Sequence, residues 1–187
     1  MAKVKRAETL RILFVGDVVG KPGRAMCSKW LPRLKIEHSV DTIIVNGENS
    51  SNCGKGINAK SVAEIFESGA NLVTTGNHIW RFKDFYAYLD KTDKVTRPAN
   101  FPSGCPGRGF AFCDVGDTTI AVLNLQGRVF FKEHLECPFR TAETLLLYLK
   151  SKADIVVVDF HSEATSEKEI MGFFLDGKVS AILGTHT

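Results

Sequence analysis

Long apolar runs are missing from this chain. None approaches the ~20 residues a helix needs to cross a bilayer, so no membrane partner is expected. No apolar stretch follows the N-terminal lysines before the polar Ala7-Glu8-Thr9, so no secretory signal is expected either. Cysteine is sparse and badly spaced for pairing. The five cysteines (Cys27, Cys53, Cys105, Cys113 and Cys137) are odd in number and form no Cys-x-x-Cys. That usage argues against a disulfide framework or a thiolate metal site, and for a reducing, cytoplasmic setting in which cysteine serves as a small hydrophobe. Excess charge is slight: a net +3 is too little to point to nucleic acid or a lipid surface. Much of it sits in Lys3, Lys5 and Arg6, within residues 1–9, which are expected to form a solvated basic tail. Internal repeats and low-complexity segments are absent.

What is present is an ordinary globular composition, 44% hydrophobic and 24% charged over 187 residues. A chain of that length can bury about 70% of its unfolded surface, and residues 10–187 are read as one domain. Short apolar, β-branched runs alternate with helical segments, the pattern of an α/β layered fold. Strands are predicted at residues 10–16, 42–46, 72–75, 155–160 and 179–183, with a hairpin at 110–114 and 118–124 starting a second sheet or an antiparallel edge. A helix runs from Pro22 to about Ile36, with Pro32 expected to kink or break it. Asn58 is predicted to cap a helix ending near Ser68 and Gly69. Lys83 to Leu89 reads as a short helix, Thr141 as the cap of another, and Ser166 to Leu175 as the last.

The stretch Leu72-Val73-Thr74-Thr75-Gly76-Asn77-His78 organises the rest, because four other apolar runs end as it does. Ile12 to Val15 leads to Asp17, Thr42 to Val45 to Glu48 and Asn49, Ile155 to Val158 to His161, and Val179 to Leu183 to His186. In open α/β sheets ligands bind beyond the carboxyl ends of the strands. Carboxylate, amide and imidazole groups collected there describe a metal site, and the mixture suits Mn, Fe or Zn better than Ca or Mg, whose sites rarely use imidazole. A carboxylate such as Glu48 can bridge two ions, and two divalent ions ~3.5–4 Å apart activate water and clamp the oxygens of an in-line phosphoryl displacement.

Gly16-Asp17, Gly47-Glu48-Asn49, Gly76-Asn77-His78, His161 and Gly184-Thr185-His186-Thr187 resemble the ordered motifs of the calcineurin-like metallophosphoesterases. Gly-Asp-Val-Val-Gly-Lys-Pro-Gly (16–23), Arg-Pro-Ala-Asn-Phe-Pro (97–102), Leu-Gln-Gly-Arg (125–128) and Asp-Phe-His-Ser-Glu-Ala-Thr-Ser-Glu-Lys (159–168) are similar to the bacterial YmdB-like branch. The resemblance runs from Ile12 to the last residue. It implies a layered α-β-β-α sandwich and a metal-dependent phosphodiesterase that hydrolyses 2′,3′-cyclic nucleotides or related small phosphodiesters by a metal-bridging hydroxide. It further implies Asp17 and Asn49 on one metal, Asn77, His161 and His186 on the other, Glu48 between them, and His78 outside the metal shell, acting on the leaving oxygen. The implied cofactors are two divalent ions, Fe or Mn foremost, with Zn or Mg as alternatives. Links to RNA and a homo-oligomer also come with the resemblance.

Two departures qualify it. Val19 stands where the wider superfamily has a histidine, a feature the closer branch shares, with Asn49 resembling the replacement ligand. The chain stops at Thr187, just before a second histidine that continues the family's last motif, so it is expected to lack the remaining strands of the second sheet and to be either a fragment of a longer product or a degenerate member with a depleted first metal site.

Competing readings bear on several residues. A catalytically impaired regulatory or RNA-associated domain of the same fold is the alternative function. Gly16-Asp17-Val18-Val19-Gly20-Lys21 makes a poor phosphate loop, one residue short and with Pro22 in place of a Mg²⁺-binding hydroxyl. His38 and His134 are read as surface residues, and Ser162 and Thr165 as support for the His161 loop. Trp30 and the phenylalanines are read as core rather than as a base-stacking platform. Arg108, Arg128 and Arg140 fit either phosphate contacts or ordinary ion pairs.

Overall fold

The computed structural model describes residues 9–187; Lys3, Lys5 and Arg6 of the expected basic tail lie outside the described residues. The first half of the chain alternates strand and helix: β1 (Ile12–Val15), α1 (Gly20–Glu37), β2 (Thr42–Asn46), α2 (Ala59–Glu67) and β3 (Leu72–Thr74). Crossover helices leave the three strands parallel, in the order β1-β2-β3, with β2 buried along its whole length. Two 3-10 turns (Asn77–Arg81, Lys83–Phe85) and the single turn α3 (Tyr86–Leu89) follow.

The second half begins with the hairpin β4 (Phe110–Val115) and β5 (Thr118–Gln126), and continues through α4 (Pro138–Lys152), β6 (Ile155–Ser162), α5 (Thr165–Leu175) and β7 (Ala181–His186). These strands form a second sheet in the order β4-β5-β6-β7, antiparallel at the hairpin and parallel thereafter.

Alternation along the strands sorts the side chains into layers. Ile44 and Leu72 of the first sheet meet Ala111, Ile120, Val122 and Val157 of the second in one buried cluster, with Ile12 and Phe14 at its margin. The neighbouring residues point the other way. Ile43, Val45 and Val73 pack under Cys27, Leu31, Val62 and Ile65 of the first two helices. Ala121, Leu123, Val156, Val158 and Phe160 pack under Ala142, Leu146 and Leu149 of α4 and Met171 and Leu175 of α5. The result is helix, sheet, sheet, helix, and each fully buried Ile, Leu or Phe contributes about 1.5–3 kcal/mol. Among the described residues no helix is long and apolar enough to cross a membrane, and none of the five cysteines is in a disulfide.

Local expectations fare unevenly. Asn58 does cap α2: its Oδ1 accepts from Ser61 N at 2.9 Å and its own N–H donates to Ser61 Oγ at 3.1 Å, and Gly69 follows with φ +103°. Pro32 does not break α1, which runs on to Glu37. Thr141 is not a cap. The helix opens a turn earlier at Pro138, because proline's fixed φ suits a first helical turn whose N–H would be unpaired anyway. Trp30 is not core but 39% exposed, lying under Lys29 and Arg33 on the outer face of α1. The last two strands run further than the apolar runs indicate. His161 pairs with Thr185, and Ser162 with His186, so both histidines sit on strands rather than after them.

Candidate metal centre

Asn46 of β2 donates to Asp159 of β6 at 2.9 Å, so the carboxyl ends of the two parallel cores lie along one rim. Glu48, fully buried, stands at its centre. One of its oxygens, Oε2, is 3.1 Å from His161 Nε2; the other, Oε1, is 3.1 Å from His78 Nδ1 and accepts from Asn49 Nδ2 at 2.7 Å. Asn77 Oδ1 is 3.1 Å from the same His161 nitrogen. His186 stacks edge-on to His161 with ring centroids 4.8 Å apart, and its Nε2 meets Glu163 at 2.6 Å. Donor atoms of Glu48, His161 and His186 all lie within 4.8 Å of one another. Asp17 approaches from the β1–α1 loop, which is pinned by Val18 N–H to Asn46 O and Gly20 N–H to Asn49 O, both at 2.9 Å.

Whether these residues suit a cation is answered by their unmet oxygens. Asp17 Oδ1 and Asn49 Oδ1 are buried with no hydrogen-bond partner. Such groups are costly unless something electropositive meets them. Burial pushes the Asp17 carboxyl above its ordinary range and the nearby Glu48 charge adds to this, against the opposing pull of His161 and His186. Burial would raise Glu48 too, but hydrogen bonds from His161 and His78 outweigh it and hold its carboxyl below the usual range. His161 is depressed by its own burial yet ends raised, through its bond to and attraction for Glu48. A cluster of anionic and neutral oxygens short of positive charge, next to imidazole nitrogen, fits a divalent metal. Backbone strain marks the site as well: Asp17 has φ +26° and His186 φ +83°, conformations that L residues hold only when their surroundings impose them.

Three supporting residues were invisible as site residues in sequence. Asp159, fully buried, accepts from Thr185 Oγ1 at 2.7 Å and also from Asn46 and Thr74. Burial raises its carboxyl, against those hydrogen bonds. Because Thr185 gives its proton to Asp159, its oxygen takes the proton of His161 Nδ1, 2.9 Å away, and Nε2 is left facing the rim, as metal-bound histidines require. Glu167 is the third. Its carboxylate accepts from Ser162 Oγ at 2.9 Å and from Arg128 N–H at 2.9 Å and Val129 N–H at 3.3 Å. Space is equally tight: a Cβ on Gly76 would lie 2.2 Å from Glu48 Oε2 and 2.3 Å from His161 Nε2. His38 and His134 are exposed.

Two face-to-face sheets between helix layers, with carboxylate, amide and imidazole groups at a shared rim of strand ends, define a metallophosphoesterase sandwich. The chain belongs to the YmdB-like protein family, whose profile matches residues 13–187. It is 43% identical over 178 residues to the 2′,3′-cyclic-nucleotide 2′-phosphodiesterase of Bacillus subtilis strain 168, covering 95% of this chain and 67% of that protein. A crystal structure of a hypothetical protein from Thermus thermophilus superposes with TM-score 0.88 at 42% identity, over 95% of this chain and 68% of that one. A Mycoplasma pneumoniae structure described as a novel phosphatase gives TM-score 0.89 at 34% identity, over 97% of this chain and 66% of that one. The chain thus spans about two thirds of the length of these relatives, and hydrolysis of phosphate esters is the chemistry named for the Bacillus and Mycoplasma proteins.

Proposed function

We propose that this chain is a metal-dependent phosphodiesterase acting on 2′,3′-cyclic nucleotides, with the six donors of the rim sharing two divalent ions. Asp17 and Asn49 would hold one, Asn77, His161 and His186 the other, and Glu48 would serve both; iron or manganese suits this donor set best. The observation that carries the reading is the pair of partnerless buried oxygens on Asp17 and Asn49 beside a carboxylate flanked by two histidines. Divalent ions bound there supply a lowered pKa for water and positive charge for the phosphoryl oxygens.

The protein's own share of the chemistry is positional. Glu48 and His161 are fully buried, so water is kept off the donor atoms, whereas the His78 side chain is 32% exposed and can reach a substrate. With Nδ1 turned to Glu48, its Nε2 is the nitrogen placed to give a proton to the ribose oxygen as that oxygen's bond to phosphorus breaks, while water's oxygen bonds to phosphorus and the water's proton leaves to solvent. The five unpaired cysteines support a reducing, cytoplasmic setting for the reaction on this reading.

The test uses 2′,3′-cyclic AMP. Chelation should abolish hydrolysis and Mn²⁺ or Fe²⁺ restore it, while His78→Ala should keep its metal and lose roughly 10²–10⁴-fold in turnover. Activity that survives exhaustive chelation, or a His78→Ala protein emptied of metal, would contradict the assignment.

A further inference from the structure

Beside the metal centre lies a cavity of about 610 Å³, lined by Arg128, Val129, Phe131, His134, Phe139 and Glu167 among others. Phe131 is the wall the two sites share. Its ring lies 5.1 Å from that of His186 and 6.2 Å from that of His161, centroid to centroid. The preceding residue, Phe130, takes φ +68° and is 82% exposed, so the chain turns there and presents the second phenylalanine inward. The wall is fixed to the strand that carries His161: Gly127 N–H donates to His161 O at 2.9 Å, and Glu167 holds the next two amides. A Cβ on Gly127 would come within 2.2 Å of that carboxylate, so glycine is what lets the loop lie so close. Among the described residues no carboxylate pairs with the Arg128 guanidinium.

We infer that this cavity receives the nucleoside of the substrate, with the base stacked on Phe131 and Arg128 supplying hydrogen-bond donors to its polar edge. The inference rests on the phosphodiesterase reading and deepens it. The volume lies within the roughly 300–1,000 Å³ of small-molecule sites. An aromatic face beside a cation and acceptor carboxylates matches a base, which offers a π-surface and a polar rim, better than it matches a bare phosphate ester. A phosphodiester held at the rim would therefore extend its nucleoside past the histidines and across Phe131.

Equilibrium dialysis with labelled adenosine, which has no phosphate, tests the cavity apart from catalysis. Adenosine should bind the wild-type chain at millimolar concentration or below, with EDTA or with Mn²⁺. Phe131→Ala should weaken it about tenfold or more, Phe131→Leu less, and Phe131→Trp should retain it, with circular dichroism confirming that each variant is folded. Absence of adenosine binding by the wild-type chain, or binding by folded Phe131→Ala as tight as the wild type's, overturns the inference. The function fails separately: adenosine bound in a Phe131-dependent way with no Mn²⁺-dependent hydrolysis would sink the phosphodiesterase reading and leave the nucleoside site standing.

Discussion

Gly76 has φ −151°, outside the left-handed region that favours glycine, and what a side chain there would meet is lack of room. With a Cβ 2.2 Å from Glu48 Oε2, Gly76→Ala must push the carboxylate or His161 aside. We expect the variant to fold at a cost of about 1–3 kcal/mol and to lose bound Mn²⁺, counted by mass spectrometry after dialysis; full metal content would refute this crowding. A second residue reports on the loop that carries Glu48. Beside the exposed Cys53 thiol are the Ser51 hydroxyl at 3.2 Å, the Lys55 backbone and Arg81, which together bring it down to about 7, whereas burial raises Cys27 and Cys113. Since the thiolate is the reactive form, the rate of Cys53 alkylation by iodoacetamide should climb with pH to half its plateau near the value of about 7 that these neighbours set. A midpoint at the ordinary thiol value of about 8.5 or above would mean the loop is arranged otherwise.

At the scale of elements, the start of the segment after β5 is held by the Glu167 carboxylate together with Gly127 N–H to His161 O. Glu167→Gln would turn an amide donor toward two backbone N–H groups and the Ser162 hydroxyl, at a cost of about 1–3 kcal/mol. Hydrogen exchange of the Arg128 and Val129 amides should accelerate while that of β6 stays unchanged; unchanged exchange throughout would show that the carboxylate does not secure the loop. The strands, by contrast, were legible in the sequence because a buried parallel strand is a short β-branched run. Asn58 announced α2 by its capping chemistry. The ends of β6 and β7 read as loop because their residues are polar and the pairing of His161 with Thr185 leaves no local mark, and Thr141 has the chemistry of a cap although Pro138 opens the helix.

For the whole molecule, what was legible was the set of rim donors, since each follows an apolar run. The network beneath them was not. Asn46 reaches Asp159 across 113 residues and Thr185 across 139, and no local pattern announces that a buried aspartate two residues before a histidine will orient it through a threonine on the neighbouring strand. The cavity was equally hidden, because the irregular segment that forms it is anchored from 39 residues away. Both depend on stacking the sheets so that five strand ends meet. Anomalous diffraction at the manganese edge, from crystals of this chain grown with Mn²⁺, tests that convergence directly. The account predicts peaks on either side of the Glu48 carboxylate, one among Asn77, His161 and His186 and one against Asp17 and Asn49, with both lost in Glu48→Gln. A map with manganese only at other carboxylates, or with none at this rim, would contradict it.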